Sequence, residues 1–163
     1  MKKIMELLQN MKAKNEKKDN KGFSLVELII VIAIMAILVG IVGTQVIPYI
    51  SKSKVAKDQQ ILNSISTAGV AAYSENGLTG NITVEVFKDP AYGADTDEGK
   101  VQAAILAASG FKTLAEFQGA LESDGTIAKV EFKVTAADHQ AITKVTYSGT
   151  APTYQIKEVK ATL

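Results

Sequence analysis

The chain reads as an α+β protein: a long N-terminal α-helix with its hydrophobic half protruding, packed through its second half on a small antiparallel β-sheet. Three observations predict this. Residues Phe23 to Ile47 form an apolar run broken by a single ionisable side chain, Glu27. Beyond Pro48 apolar residues recur at helical spacing, and from Ala128 the period falls to two.

The first 22 residues are a basic leader. They hold seven of the eighteen Lys against Glu6, Glu16 and Asp19, a net of +4, whereas the remaining eleven Lys face fourteen acids, a net of −3. In MKKIMELLQNMKAK, Ile4, Leu7, Leu8 and Met11 share one face of a short amphipathic turn, but a mostly disordered leader is the simpler reading. Positive charge ahead of an apolar run favours an N-inside, C-outside orientation, since Lys52, Lys54 and Lys57 beyond the run are fewer.

The run itself, FSLVELIIVIAIMAILVGIVGTQVI, is long enough to cross a bilayer, which takes about 20 residues rising ~1.5 Å each. A carboxylate inside such a span costs roughly 2.5 to 3.5 kcal/mol at mid-bilayer and less near an interface. Glu27 therefore calls for a partner or a function. Gly40, Gly43 and Pro48 suit a helix that packs closely against others and bends.

From Pro48 to Ser74, Val55, Leu62, Ile65, Ala68 or Gly69, and Ala72 form one apolar stripe. The expected helix, continuous or kinked at Pro48, stops at Glu75-Asn76-Gly77. Residues 75–163 then make a head with a variable loop region and a C-terminal sheet. Asn81 to Phe87 is a candidate strand and Asp89 to Gly99 a loop. Lys100 to Ala108 and Thr113 to Ser123 read as helices, the second with Thr113 as N-cap and Glu116 three residues on.

Ala128, Val130, Phe132 and Val134 alternate with polar neighbours, as do Val145 and Tyr147. Tyr154 and Ile156, then Val159 and Ala161, suggest a third strand with a bulge near Glu158. Short connections at Ala137 to Gln140 and Ser148 to Pro152 make the sheet antiparallel. One of its faces needs a cover, which the second half of the long helix supplies.

Composition excludes several functions. Without Cys there is no disulfide or thiolate metal site. Without Arg there is no guanidinium fork for reading phosphates or bases, so no specific nucleic acid is expected as partner. His139 is the only His and sits in an expected turn, and no Gly-rich phosphate loop is present. No enzyme and no cofactor are expected. Lys52, Lys54 and Lys57 read as a solvated or headgroup-level face rather than as a DNA contact.

An ordinary signal cleavage site of small residues after the apolar run is missing, and Val46-Ile47-Pro48-Tyr49 does not fit one. The processing point fits better before the run, at Gly22-Phe23, where a glycine beside Lys21 admits the backbone to a narrow cleft. The stretch KGFSLVELIIVIAI, Lys21 to Ile34, resembles the leader junction of class III signal peptides, those of type IV pilins and the related pseudopilins of secretion and competence systems.

That resemblance implies cleavage between Gly22 and Phe23 by a prepilin peptidase, N-methylation of Phe23, and Glu27 as the assembly carboxylate. The division it implies is leader 1–22, membrane and assembly helix 23–47, amphipathic spine 48–74 and head 75–163. It also implies a pilin-like fold and a structural function as the major pilin of a type IV pilus. The alternatives are a pseudopilin of a type II secretion or DNA-uptake system and, outside the family, a membrane-anchored binding module. Implied partners are further copies in a helical homopolymer, the prepilin peptidase and N-methyltransferase, the assembly platform with its ATPase, and membrane lipid before assembly. The implied location is the cell membrane as a single-pass protein with its C-terminus outside, then the extracellular pilus. Lack of the cysteine pair found in many Gram-negative pilins points to a Gram-positive source.

Some pseudopilins hold calcium in their heads, so Asp89, Asp95, Asp97 and Glu98 are candidate oxygen ligands. EF-hand spacing is absent, and a solvated acidic loop is the preferred reading.

Overall fold

The structure is a computed structural model that describes residues 3–6, 9–10 and 24–163. Residues 3–6 and 9–10 are helical, while Leu7, Leu8 and Met11 of the expected amphipathic face lie outside the described residues. The chain divides into two compact units, Met1–Gln45 and Val46–Leu163.

Helix α1 covers Leu25–Glu75, 51 residues, and is assigned without interruption through Pro48. Its end at Asn76-Gly77 is built as the sequence predicts. Gly77 adopts φ 62, the left-handed conformation that costs glycine little. The Leu78 amide donates to the Tyr73 carbonyl at 3.1 Å and the Gly77 amide to Ser74 at 3.0 Å, the paired bonds of a Schellman cap.

In the second unit the buried residues of α1 are Asp58, Leu62, Ile65, Ser66, Gly69, Ala72 and Tyr73. This resolves the Ala68 or Gly69 alternative in favour of Gly69, with Ala68 only partly buried. A Cβ at Gly69 would lie 2.6 Å from Phe132 Cε2, so the absence of a side chain is what lets the Phe132 ring rest on the helix.

The sheet is a four-stranded antiparallel meander in the order β1-β2-β3-β4. Its strands are β1 Ile82–Glu85, β2 Ile127–Thr135, β3 Gln140–Tyr147 and β4 Val159–Thr162. Val130, Phe132 and Val134 face the core as alternation predicts. Ala128 does not, because a register irregularity between Ile127 and Lys129 buries Ile127 and exposes Ala128. The one bulge among the described residues thus sits at the start of β2 rather than near Glu158.

The third expected strand is also shorter than predicted. Residues 154–158 are not strand, although Ile156 is buried. Side chains take the place of a ladder there: the Ile156 amide donates to Tyr147 Oη at 2.9 Å and the Lys157 amide to Gln59 Oε1 at 2.8 Å.

Helix α2, Asp97–Ser109, begins three residues before the expected Lys100 because Thr96 is its N-cap, accepting from the Gly99 amide at 3.0 Å. Helix α3, Leu114–Ala120, starts at the predicted cap, with the Glu116 amide donating to Thr113 Oγ1 at 3.2 Å. It ends before Ser123. Phe117 of α3 is fully buried and meets Phe87 and Phe111 at centroid distances of 5.2 and 5.7 Å.

Long polar side chains fasten this cysteine-free head. Gln102 donates to the Val86 carbonyl at 3.1 Å and accepts from the Tyr92 amide at 3.0 Å, tying α2 to the end of β1 and the following loop. Gln118 accepts from the Ile127 amide and donates to the Gly125 carbonyl at 3.0 Å, joining α3 to the entry of β2. Gln59 bonds both to and from the backbone of Lys157. Buried Asp58 accepts the amides of Glu122 and Ser123 at 3.0 and 2.8 Å.

Candidate assembly and processing site

Ser24 and Glu27 build the start of α1 between them. The Ser24 carbonyl accepts from Leu28 at 3.0 Å and opens the helical ladder. Its Oγ accepts from the Val26 amide at 3.3 Å, while its own amide donates to Glu27 Oε2 at 2.9 Å. This is a reciprocal cap in which side chains satisfy amides that a helix start leaves open. A carboxylate in the first turn also complements the helix dipole, by about 0.3 to 1 kcal/mol at an exposed site.

The cap answers part of the question raised by a carboxylate in an apolar run. Glu27 has a donor within its own chain, so the charge is not borne without a partner. A carboxylate accepts several hydrogen bonds, and the bond from Ser24 does not exhaust it. Sequence reasoning singled out Glu27 without seeing its tie to Ser24. The signal was present in Ser24-Leu25-Val26-Glu27, a serine followed three residues later by glutamate ahead of an apolar run. Gly22 and Phe23, the predicted cleavage and methylation positions, lie outside the described residues.

Along α1 beyond the cap, the apolar side chains stand open, with Leu25 73% and Val39 68% exposed. Among the described residues this is one helix long and apolar enough to cross a membrane, and its apolar window has no buried residue. A face this large has no place in water on a monomeric protein. A Cβ at Gly40 or Gly43 would meet nothing within 4 Å. Thr44 Oγ1 returns its hydrogen to the Ile41 carbonyl at 3.1 Å, which satisfies the hydroxyl within the helix.

The other residues that the sequence singles out lie in the head. No group of three or more His, Asp or Glu that could hold a metal ion occurs among the described residues. Asp97 and Glu98 belong to the first turn of α2, a stabilising position for carboxylates at the positive end of the helix dipole. His139 occupies the turn after a 3-10 helix, Ala136–Asp138, with φ 47. Lys57 pairs with Glu122 at 3.0 Å across an exposed surface.

On the solvent face of the sheet, Glu131 lies beside Lys129 at 2.9 Å and Lys144 at 3.8 Å. Its pKa is held below the ordinary carboxylate value, first by the hydrogen bond from Lys129. The charges of Lys129, Lys144 and Lys133 act in the same direction, against partial burial.

No curated protein and no solved structure matches the chain. Residues 17–43 match the family model described as the prokaryotic N-terminal methylation motif. The match spans Gly22 and Phe23, the Ser24-Glu27 cap and most of the open apolar helix. The chain thus carries the class III signal of type IV pilins and pseudopilins.

Proposed function

We propose that the chain is a structural subunit, the major pilin, of a type IV pilus filament. It is inserted in the cell membrane with its leader inside and its head outside. It is cleaved between Gly22 and Phe23, methylated on the new Phe23 amine, and polymerised by packing α1 against α1 of other copies. The observation that carries this reading is the open apolar length of α1, which the Ser24-Glu27 cap opens and the methylation motif largely covers.

In this reading the span is a polymerisation interface housed temporarily in lipid. An α-amine has a reference pKa of about 7.7 to 8.0, so the new terminus of an incoming subunit is cationic at neutral pH. In a low-dielectric filament core an unpaired Glu27 is strongly disfavoured and a paired one tolerated. Glu27 therefore sets the stagger between copies, with the Ser24 cap holding it until the amine arrives. The assembly platform and its ATPase supply the work that the subunit does not.

The experiment replaces Glu27 with Ala and compares the sheared extracellular fraction with the membrane fraction. The expected outcome is loss of the chain from sheared filaments with membrane insertion retained. Normal filament incorporation of this variant would remove the register role of Glu27.

A further inference from the structure

Within the Val46–Leu163 unit, two clefts lie at opposite ends of the head half of α1. Between the start of this half and the segment Pro152 to Lys157, two hollows share Val55 and Tyr154, one lined also by Lys54 and the other by Lys52 and Lys157, and together they form a groove. Lys52 Nζ stands 5.9 Å over the Tyr154 ring. The nearby acids are largely engaged: Glu122 with Lys57, and Asp58 with the Glu122 and Ser123 amides. Asp124 is the carboxylate that lines the groove, so this end keeps a positive excess.

The second cleft is lined by Tyr73, Asn81, Asp97 and Glu98. Asn81 Oδ1 accepts the Ala136 amide at 2.8 Å, which brings the turn carrying exposed Asp138 to the same end. Exposed Glu75 closes α1 there. Lys100, 4.0 Å from Asp97, and Lys133, opposite Thr83 in the pairing of β1 with β2, are cations near this end, and against Glu75, Asp97, Glu98 and Asp138 they leave it a negative excess. From Lys54 to Tyr73 the helix rises about 29 Å at ~1.5 Å per residue.

We propose that the basic groove is a docking site for the acidic end of a second copy of this chain, with Lys52, Lys54 and Lys157 meeting Glu75, Glu98 and Asp138. This rests on the filament reading and adds to it a contact made by the heads. Two different, complementary patches on one chain make a head-to-tail interface, which extends into an open filament when its rotation does not close. Like ends repel, so the charges also set the direction in which copies stack. Val55 and Tyr154 give the groove an apolar floor on which the aliphatic parts of side chains can rest.

The test uses the full chain in cells and scores sheared filaments by electron microscopy and immunoblot. Lys52→Glu with Lys157→Glu reverses the basic end, and Glu98→Lys with Asp138→Lys reverses the acidic end. Each pair alone is expected to lower the filament fraction by about tenfold or more through like-charge contacts. The four changes together restore it to within about twofold, because complementarity returns. Assembly of either pair at the parent's level, or failure of the four together to recover it, overturns the proposal. Loss of membrane retention in the basic-end variant without rescue would assign the lysines to lipid headgroups and also overturn it. If the parent forms no filaments, or Glu27→Ala assembles as the parent does, the reading beneath the proposal fails and the head contact falls with it.

Discussion

Removing the Asp58 carboxylate should be the most damaging single polar change in the head. Asp58 is 1% exposed and accepts the amides of Glu122 and Ser123 at 3.0 and 2.8 Å. Hydrogen bonds to charged groups contribute about 1.5 to 3 kcal/mol each. Water can reach the partly exposed loop once the carboxylate is gone, which places the loss in Asp58→Ala near the lower end, about 3 kcal/mol for the two bonds. Asp58→Asn keeps one acceptor and turns an amide donor towards a second donor, so about half that loss is expected.

The neighbouring Lys57-Glu122 pair, 62% and 49% exposed, is the internal control. Lys57→Ala should cost less than about 1 kcal/mol. For a domain of this size 1 kcal/mol moves the midpoint by about 3 to 6 °C, so Asp58→Ala should melt about 10 to 15 °C below the parent. Thermal unfolding of the detergent-solubilised full chain, followed by circular dichroism, reads this directly. Equal, small shifts for Asp58→Ala and Lys57→Ala would refute the assignment of Asp58 as the clamp on the Glu122 loop.

Two further outcomes follow from the same packing and charge arguments. Gly69→Ala gains about 1 kcal/mol of helix propensity, but it drives a Cβ into the fully buried Phe132 ring, and overpacking costs about 1 to 3 kcal/mol. A net loss in denaturant midpoint is expected, recovered by pairing it with Phe132→Leu; a stabilised Gly69→Ala chain would show that the ring yields freely. Because the folded-state pKa of Glu131 lies below its unfolded value, its stabilisation is complete above the unfolded pKa and lost as pH falls through the folded one. Glu131→Gln should therefore flatten the fall in stability below about pH 5, and an unchanged acid limb would contradict the Lys129 pairing.

The elements that sequence made legible are those set by neighbours in the chain. Thr113 and Glu116 are three residues apart, and the Schellman cap lies within six. Alternation in β2 needs only the strand itself, so Val130, Phe132 and Val134 were assignable to the core. The bulge at the start of β2 is not legible in the sequence because Ile127 and Ala128 are both apolar, and composition cannot say which of them turns inward.

What escaped were contacts closed by the fold. Asp58 meets residues 64 and 65 positions away, and Gln59 one 98 away. Asp58 nevertheless left a trace, as an acid on the apolar stripe three residues after Val55 and four before Leu62. A charged residue in such a stripe signals a specific buried partner. At the candidate assembly site, Glu27 stands out as the one acid in the run, whereas its bond to Ser24 requires recognising the serine as a cap.

The central claim is that processing frees the Phe23 amine and that the apolar first half of α1 is then used for polymerisation. Intact-mass and N-terminal analysis of filaments sheared from cells tests it most directly. The account predicts abundant filaments whose subunit begins at Phe23 and carries a methyl group on its amine. A chain that keeps its leader, or one that is processed but confined to membranes and missing from sheared material, would contradict the assignment as a major pilin.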